Sequence, residues 1–265
     1  MARDDLFAGT PALEAINMLV SVVASSLDGR TPTQRLMAMD IKRAFLHADM
    51  SREVYINLPE EAKEGDKEDM VRLLRKAMYG RRDAPQSWQA RLTSVLQQLG
   101  FTAGRANPCL FRHGARDLLI SVHVDDILCA GCPAGLRWVR QMLSHHFDST
   151  ASILGPGTGE VRRVKYLNRS LGWTDTGIDY EHDPKHVQAV LSELGMVSSS
   201  PVSTPGIQDN ASSECDEKLG SKEASAIRRV IAILNYMSQD RMDIGYAVKE
   251  CAREMSGPSE KGRGQ

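Results

Sequence analysis

The chain has 265 residues, 42% of them hydrophobic, with a formal net charge of −1. That suffices for the core of one large or two small domains, and it excludes an overall basic field, so any nucleic-acid footprint must be local. Five cysteines at irregular spacing argue against a disulfide framework, the acid-bearing N-terminus carries no signal-peptide pattern, and no apolar run is long enough for a bilayer; the expectation is an intracellular protein, cytoplasmic or nuclear, with no membrane partner.

In chain order, "PALEAINMLVSVVASSL" has apolar residues at helical spacing and predicts a helix with one buried face. "RLMAMDI" predicts a short buried strand, and "EVYINL" a second, closed by Pro59. "EEAKEGDKEDM" reads as a solvated loop or hairpin tip, and "VRLLRKAMYG" as a short helix or strand. "APQSWQARLTSVLQQLG" predicts a helix, with Pro85 in its first turn and Gly100 as its stop. "CLFRHGARDLLISVHV" is strand, turn, strand, and "GLRWVRQMLSHHF" a further helix. "GEVRRVKYLNRSLGWTDTGIDYEHD" predicts a β-hairpin with Gly177 in its turn, and "PKHVQAVLSELG" a helix opened by Pro184. A stretch rich in Ser, Pro and Gly, "SSSPVSTPGIQDNASSECDEKLGSKE", reads as linker. Two helices end the chain, around "ASAIRRVIAILNYMSQ" and "DIGYAVKECAREMS". The pattern is mixed α and β with a helical tail after about residue 183.

"LLISVHVDDILCAG" sets Asp125 and Asp126 between two apolar flanks. As turn formers the pair is a weak choice: Asp tolerates turn geometry, but glycine is the expected partner, and adjacent like charges repel. A divalent cation would remove that repulsion, because Mg²⁺ takes hard oxygen ligands. A third carboxylate, Asp40 in "MAMDIKRAF", stands at the end of another strand. If the two strands are neighbours, the three converge at one sheet edge. Three carboxylates can hold two metal ions roughly 4 Å apart for in-line phosphoryl transfer, the chemistry of polymerases, nucleases and cyclases.

Several blocks then carry a resemblance. "MAMDIKRAFLHADMSREVYINLPEE", "LRKAMYGRRDAPQSWQARLTSVLQQLGFTAGRANPCLFRH", "LLISVHVDDILCAG" and "KYLNRSLGWTDTGIDYEHDPKHVQAVLSELGM", followed by "PVSTP" and "ILNYMSQDRMDIGYAVKECAREMSGPSE", resemble successive blocks of the copia-type retrotransposon reverse transcriptase. The likeness runs from about Asp5 to Glu260. It implies an α+β right-hand polymerase: a palm with partial fingers over residues 1–150, then a primer-grip hairpin and a helical, thumb- or connection-like part over 151–265. The implied activity is RNA-directed DNA polymerisation with Mg²⁺, Mn²⁺ being a possible substitute, on an RNA or DNA template with primer, using deoxynucleoside triphosphates.

Carried over by position, the resemblance makes Asp40, Asp125 and Asp126 catalytic carboxylates and metal ligands, with the Ile41 carbonyl a further ligand. Phe45 matches the aromatic gate beneath the incoming sugar, and Tyr79 and Gly80 match the "YG" that packs nucleotide and template. Trp88, on the following helix, reads as core. His123 stands where the family usually has Tyr, touching the primer end. Asp83 replaces a neutral amide and adds negative charge near the template. Arg72, Arg75, Lys76, Arg81 and Arg82 form one basic run, and Arg162, Arg163, Lys165 and Arg169 a second around the primer-grip-like hairpin. Their contacts with phosphates would give salt-dependent binding. The family's basic fingers segment before "DDLFAGT" and its ribonuclease H domain after the last helix, like the integrase of the same Pol polyprotein, find no place in these residues. The expectation is a fragment of a longer polyprotein or an inactive genomic relic that folds and binds template–primer without catalysis. A nucleotidyl cyclase is argued against by the "YG…AP…W" block. Elsewhere, Cys129-x-x-Cys132 begins in a strand and reads poorly as a redox motif. His182 and His186, though spaced like zinc ligands, read as surface residues, as do His145 and His146 at a helix end.

Overall fold

The computed structural model describes residues 9–28, 33–59, 61, 71–200, 202, 219–253 and 255–257. In chain order its elements are α1 (Leu13–Ser25), β1 (Arg35–Ile41), β2 (Tyr55–Asn57), β3 (Val71–Leu73), α2 (Ala84–Gln98), β4 (Thr102–Ala103), β5 (Leu110–His113), β6 (Leu118–His123), β7 (Asp126–Gly131), α3 (Pro133–His146) and β8 (Ser149–Leu154). There follow β9 (Arg163–Tyr166), β10 (Arg169–Trp173), β11 (Ile178–His182), α4 (Pro184–Glu193), α5 (Ser221–Met237) and α6 (Gly245–Arg253). Two compact units result: residues up to Leu167 with Leu171–Asp179, and Asn168–Ser170 with the chain from Tyr180 on.

The first unit is built on an antiparallel sheet of order β4-β5-β6-β7-β1-β8. Side chains alternate across a strand, so the two faces of β1 differ. Met37, Met39 and Ile41 join Ile127, Cys129, Ile120 and Val122 in one buried cluster with Trp88, Leu92 and Leu96 of α2 and Leu136, Val139 and Leu143 of α3. Leu36, Ala38 and Leu128 take the opposite face, and α1 lies against β1, β6 and β7 with Ile16, Leu19, Val20 and Val23 buried. A sheet covered on both faces explains why "RLMAMDI" is apolar almost throughout.

The helices begin and end as their sequences dictate. α2 has Pro85 in its first turn and stops at Gly100, where φ is +90°. There the Phe101 N–H reaches the Leu96 carbonyl at 2.9 Å and the Gly100 N–H that of Gln97, so the last carbonyls are satisfied by a glycine-dependent reversal. α3 starts at Pro133, with the Cys132 sulfur accepting from the Gly135 N–H at 3.4 Å. Cys129 is fully buried in β7, and that burial pushes its thiol far up.

Two expectations change, and one open reading is decided. β4 and β8 form where the sequence shows no strand signal. Of the two readings of "VRLLRKAMYG", the strand holds for its start, which is β3 paired with β2. The expected hairpin over residues 159–183 has three strands, in sheet order β11-β10-β9, because an extra two-residue turn lies at Leu167–Asn168, both at positive φ (47° and 60°). Leucine is no turn signal, and this turn was invisible for that reason. The charged stretch at residues 60–70, save Glu61, and most of the linker-like stretch lie outside the described residues; that stretch's last three residues, Ser221–Glu223, open α5.

In the second unit, residues of β10, β11 and the end of α5 form a buried polar knot. Arg169 donates to Asp240 Oδ2 at 2.7 Å, and both side chains are almost wholly buried. His182 Nε2 lies 3.0 Å from the same oxygen and 3.1 Å from the Met237 carbonyl. Both neighbours are acceptors, so Nε2 carries the proton. The Arg169 guanidinium lies over the Tyr236 and Tyr180 rings. Two expectations are corrected here. Arg169 is an internal ion-pair partner rather than a phosphate contact, and His182 is buried rather than on the surface. Burial holds His182 below its ordinary range despite Asp240 beside it, and it pushes the Tyr180 hydroxyl up to about 12.

Candidate active site

Asp40, the penultimate residue of β1, pairs across the ladder with Asp126, the first residue of β7. Asp125 lies in the two-residue turn between β6 and β7, and its carbonyl accepts from the Ile41 N–H at 3.0 Å. Strand alternation puts Asp40 and Asp126 on the face that carries Leu36, Ala38 and Leu128, while Ile41 turns into the helical core. This edge is open: Asp40 is exposed, and Asp125 and Asp126 are half-buried. Partial burial, then the like charges of Asp125 and Asp40, push the Asp126 carboxyl above the usual range, and His123 pulls it back. His123 is the register partner of Asp126 across β6 and β7. Among the described residues, no group of three His, Cys, Asp or Glu side chains is arranged to hold a metal ion on its own.

The turn is held in an unfavourable shape. Val124 has φ +57°, a region that β-branched residues avoid. Its carbonyl accepts from the Trp88 indole Nε1–H at 2.7 Å. Trp88 is 1% exposed and packs edge-on against Phe147, ring centroids 5.0 Å apart. Trp88 is core, as its sequence context indicates; its hydrogen bond to a turn 36 residues away left no local signal.

Phe45 and Tyr79, from separate segments of the first unit, meet with ring centroids 4.5 Å apart. Phe45 is half-buried in a 3₁₀ turn, Ala44–His47, entered through Arg43 at φ +54°. Tyr79 is 50% exposed, and Gly80 follows at φ +88° with open space around it.

The basic residues divide. Arg72, Arg75 and Arg82 are exposed. Lys76 donates to Asp49 at 2.7 Å. Arg81 grips Asp83 through two hydrogen bonds, 3.0 and 2.7 Å, with Arg52 a further 3.4 Å neighbour. Asp83 is buried, and the Arg81 guanidinium holds it below the ordinary carboxylate range. The negative charge expected from Asp83 near the template is therefore neutralised inside the protein. Arg162, Arg163 and Lys165 are exposed on and before β9.

The family described as Reverse transcriptase (RNA-dependent DNA polymerase) matches residues 2–208. The chain is 27% identical, over 97% of its length, to the Retrovirus-related Pol polyprotein from transposon TNT 1-94 of Nicotiana tabacum, and covers 19% of that protein. It is 26% identical over 95% of its length to the Pol polyprotein from transposon RE2 of Arabidopsis thaliana, covering 16% of it. It is also 26% identical over 83% of its length to the Transposon Ty1-DR4 Gag-Pol polyprotein of Saccharomyces cerevisiae, covering 14%. The chain thus spans less than a fifth of each of these relatives. A solved telomerase from Candida albicans, in complex with the TWJ fragment of telomeric RNA, aligns with 90% of this chain and 46% of its own at 11% identity and a TM-score of 0.41. The copia-type resemblance is borne out by this match and these relatives: the chain belongs to the reverse transcriptase (RNA-dependent DNA polymerase) family.

Proposed function

We propose that the chain is the polymerase core of an RNA-directed DNA polymerase from a retrotransposon Pol polyprotein, extending a primer 3′-hydroxyl with deoxynucleotides along an RNA or DNA template. The observation that carries this reading is the register that brings Asp40, Asp126 and the Asp125 turn to one open sheet edge. In this reading the six-stranded sheet with α2 and α3 is the palm, the β2–β3 ribbon belongs to partial fingers, and the helices of the second unit form a thumb- or connection-like part.

The donor set fits a divalent cation. Partial burial, with the like charges of Asp125 and Asp40 beside it, already raises Asp126, and hard oxygens are the preferred ligands of Mg²⁺. That ion usually takes one or two carboxylates and completes its shell with water and substrate phosphates, so a closed protein cage is not required. Asp40, Asp125, Asp126 and the Ile41 carbonyl would hold Mg²⁺, or Mn²⁺. When bound, the ion supplies positive charge that favours the deprotonated primer hydroxyl and the leaving pyrophosphate. The protein's own part is positioning. Phe45, backed by Tyr79, offers a flat wall beneath the sugar that leaves no room for a 2′-hydroxyl, and Gly80 leaves space for the base pair. His123 sets a polar ring beside the primer end. Arg72, Arg75, Arg82, Arg162, Arg163 and Lys165 grip phosphates without reading sequence.

A second reading, a chain that binds template–primer without turnover, draws support from the carboxylates not being gathered into a ligand shell. Primer extension on an RNA template with Mg²⁺ separates the two. The expected result is extension by the wild-type chain and none by Asp125→Asn at an unchanged melting temperature. Hybrid binding without extension favours the second reading, and absence of both defeats each.

A further inference from the structure

We propose that Trp88 is a positioning residue: its indole N–H holds the Val124–Asp125 turn in its strained form and so fixes where Asp125 stands. The inference deepens the polymerase reading and rests on it for the turn's importance. Three observations carry it. Val124 is a β-branched residue at φ +57°, a sterically unfavourable conformation that persists only where surrounding contacts impose it. The contact that imposes it is the 2.7 Å bond from Trp88 Nε1 to the Val124 carbonyl. The indole itself has no latitude. It is 1% exposed, edge-on to Phe147 at 5.0 Å and near His47 at 6.2 Å, and His47 in turn bonds the Lys42 carbonyl at 3.0 Å.

The clamp acts from the core side. Trp88 reaches the turn from the face covered by α2 and α3, while Asp40 and Asp126 occupy the other. The same turn is tied to β1 only one residue further on, by the Ile41 N–H donating to the Asp125 carbonyl. Release of the Val124 carbonyl therefore lets the turn relax toward negative φ and slackens the Ile41–Asp125 bond. A Trp present merely to fill the core would tolerate loss of its N–H, because ring volume and apolar area barely change.

The test removes the N–H and keeps the ring. In Trp88→Phe, and in a chain carrying the benzothienyl isostere of tryptophan at position 88 (sulfur in place of N–H, for the event that Phe destabilises the fold), amide hydrogen exchange at Ile41 and across residues 123–126 should accelerate about fivefold to tenfold, the effect of one lost hydrogen bond. Exchange in the α2 core at Val95 and Leu96 should stay the same. Adding Val124→Gly, which adopts positive φ without a side-chain penalty, should restore much of the protection. Primer extension should show kcat falling with little change in KM for nucleotide. Unchanged exchange at Ile41 in the isostere overturns the proposal, as does slowing or quickening spread evenly over the sheet. Exchange is read without turnover, so a chain that fails to extend primers defeats the polymerase reading and leaves the clamp to be decided by exchange.

Discussion

Replacing Asp240 with alanine strips the partner from a guanidinium that cannot reach water. Arg169 and Asp240 have side chains 6% and 5% exposed and lie 2.7 Å apart. Breaking a buried pair from one side costs about 3–5 kcal/mol, because an uncompensated charge stays inside. The Tyr236 and Tyr180 rings remain over Arg169 and return about 1 kcal/mol of that, leaving a net loss of about 3 kcal/mol. The control lies three residues along the chain. Asp243 also pairs with an arginine, Arg241, at 2.6 Å, but those side chains are 60% and 56% exposed, and solvent screening leaves such a pair with little effect on stability. Asp240→Ala should thus lower the urea midpoint by about 1 M or more, while Asp243→Ala leaves it nearly unmoved. Trp88, Trp138 and Trp173 all belong to the first unit, so the assay must be far-ultraviolet circular dichroism rather than tryptophan emission. Equal shifts for the two variants would refute the argument from burial.

Asp126 has a folded-state pKa above its ordinary 3.8, so the folded chain keeps a proton that the unfolded chain releases, and stability falls as pH rises from 3.8 through the folded value. Asp126→Asn should accordingly melt higher than wild type at pH 7 without added metal, the gap closing as pH approaches 3.8; a lower melt at pH 7 would count against burial and like-charge repulsion as the forces on this carboxyl. On an RNA–DNA hybrid, the joint change of Arg72, Arg75 and Arg82 to Ala should flatten the slope of log affinity against log salt by about two units. Arg81→Ala should chiefly lower the melting temperature, because its guanidinium serves buried Asp83; a slope unaffected by the triple change removes these residues from the proposed interface.

Much of the site's scaffold was legible because strand alternation and two-residue turns are local. "RLMAMDI" and "LLISVHVDDILCAG" become β1 and the β6–β7 hairpin, and that pairing puts the carboxylates at one edge. What stayed hidden depends on partners far along the chain. Asp240 reads as an ordinary polar residue after a helix until Arg169, 71 positions earlier, is set against it. His182 reads as exposed for the same reason. Asp83 reads as added negative charge near the template, yet Arg81 two residues before folds back on it. The Leu167–Asn168 turn went unread because its first residue is one that turns seldom use.

Strand β1, interior to the sheet, also dictates when this site can exist. Arg35 pairs with Gly131 and Ile41 with Ser149, so β1 has neither neighbour until long after it is made. At ordinary synthesis rates of about 5–20 residues per second, roughly a hundred further residues delay that pairing by about 5–20 s. Throughout that interval the apolar strand that carries Asp40 has both edges unpaired, the condition under which a strand is most open to pairing with another chain.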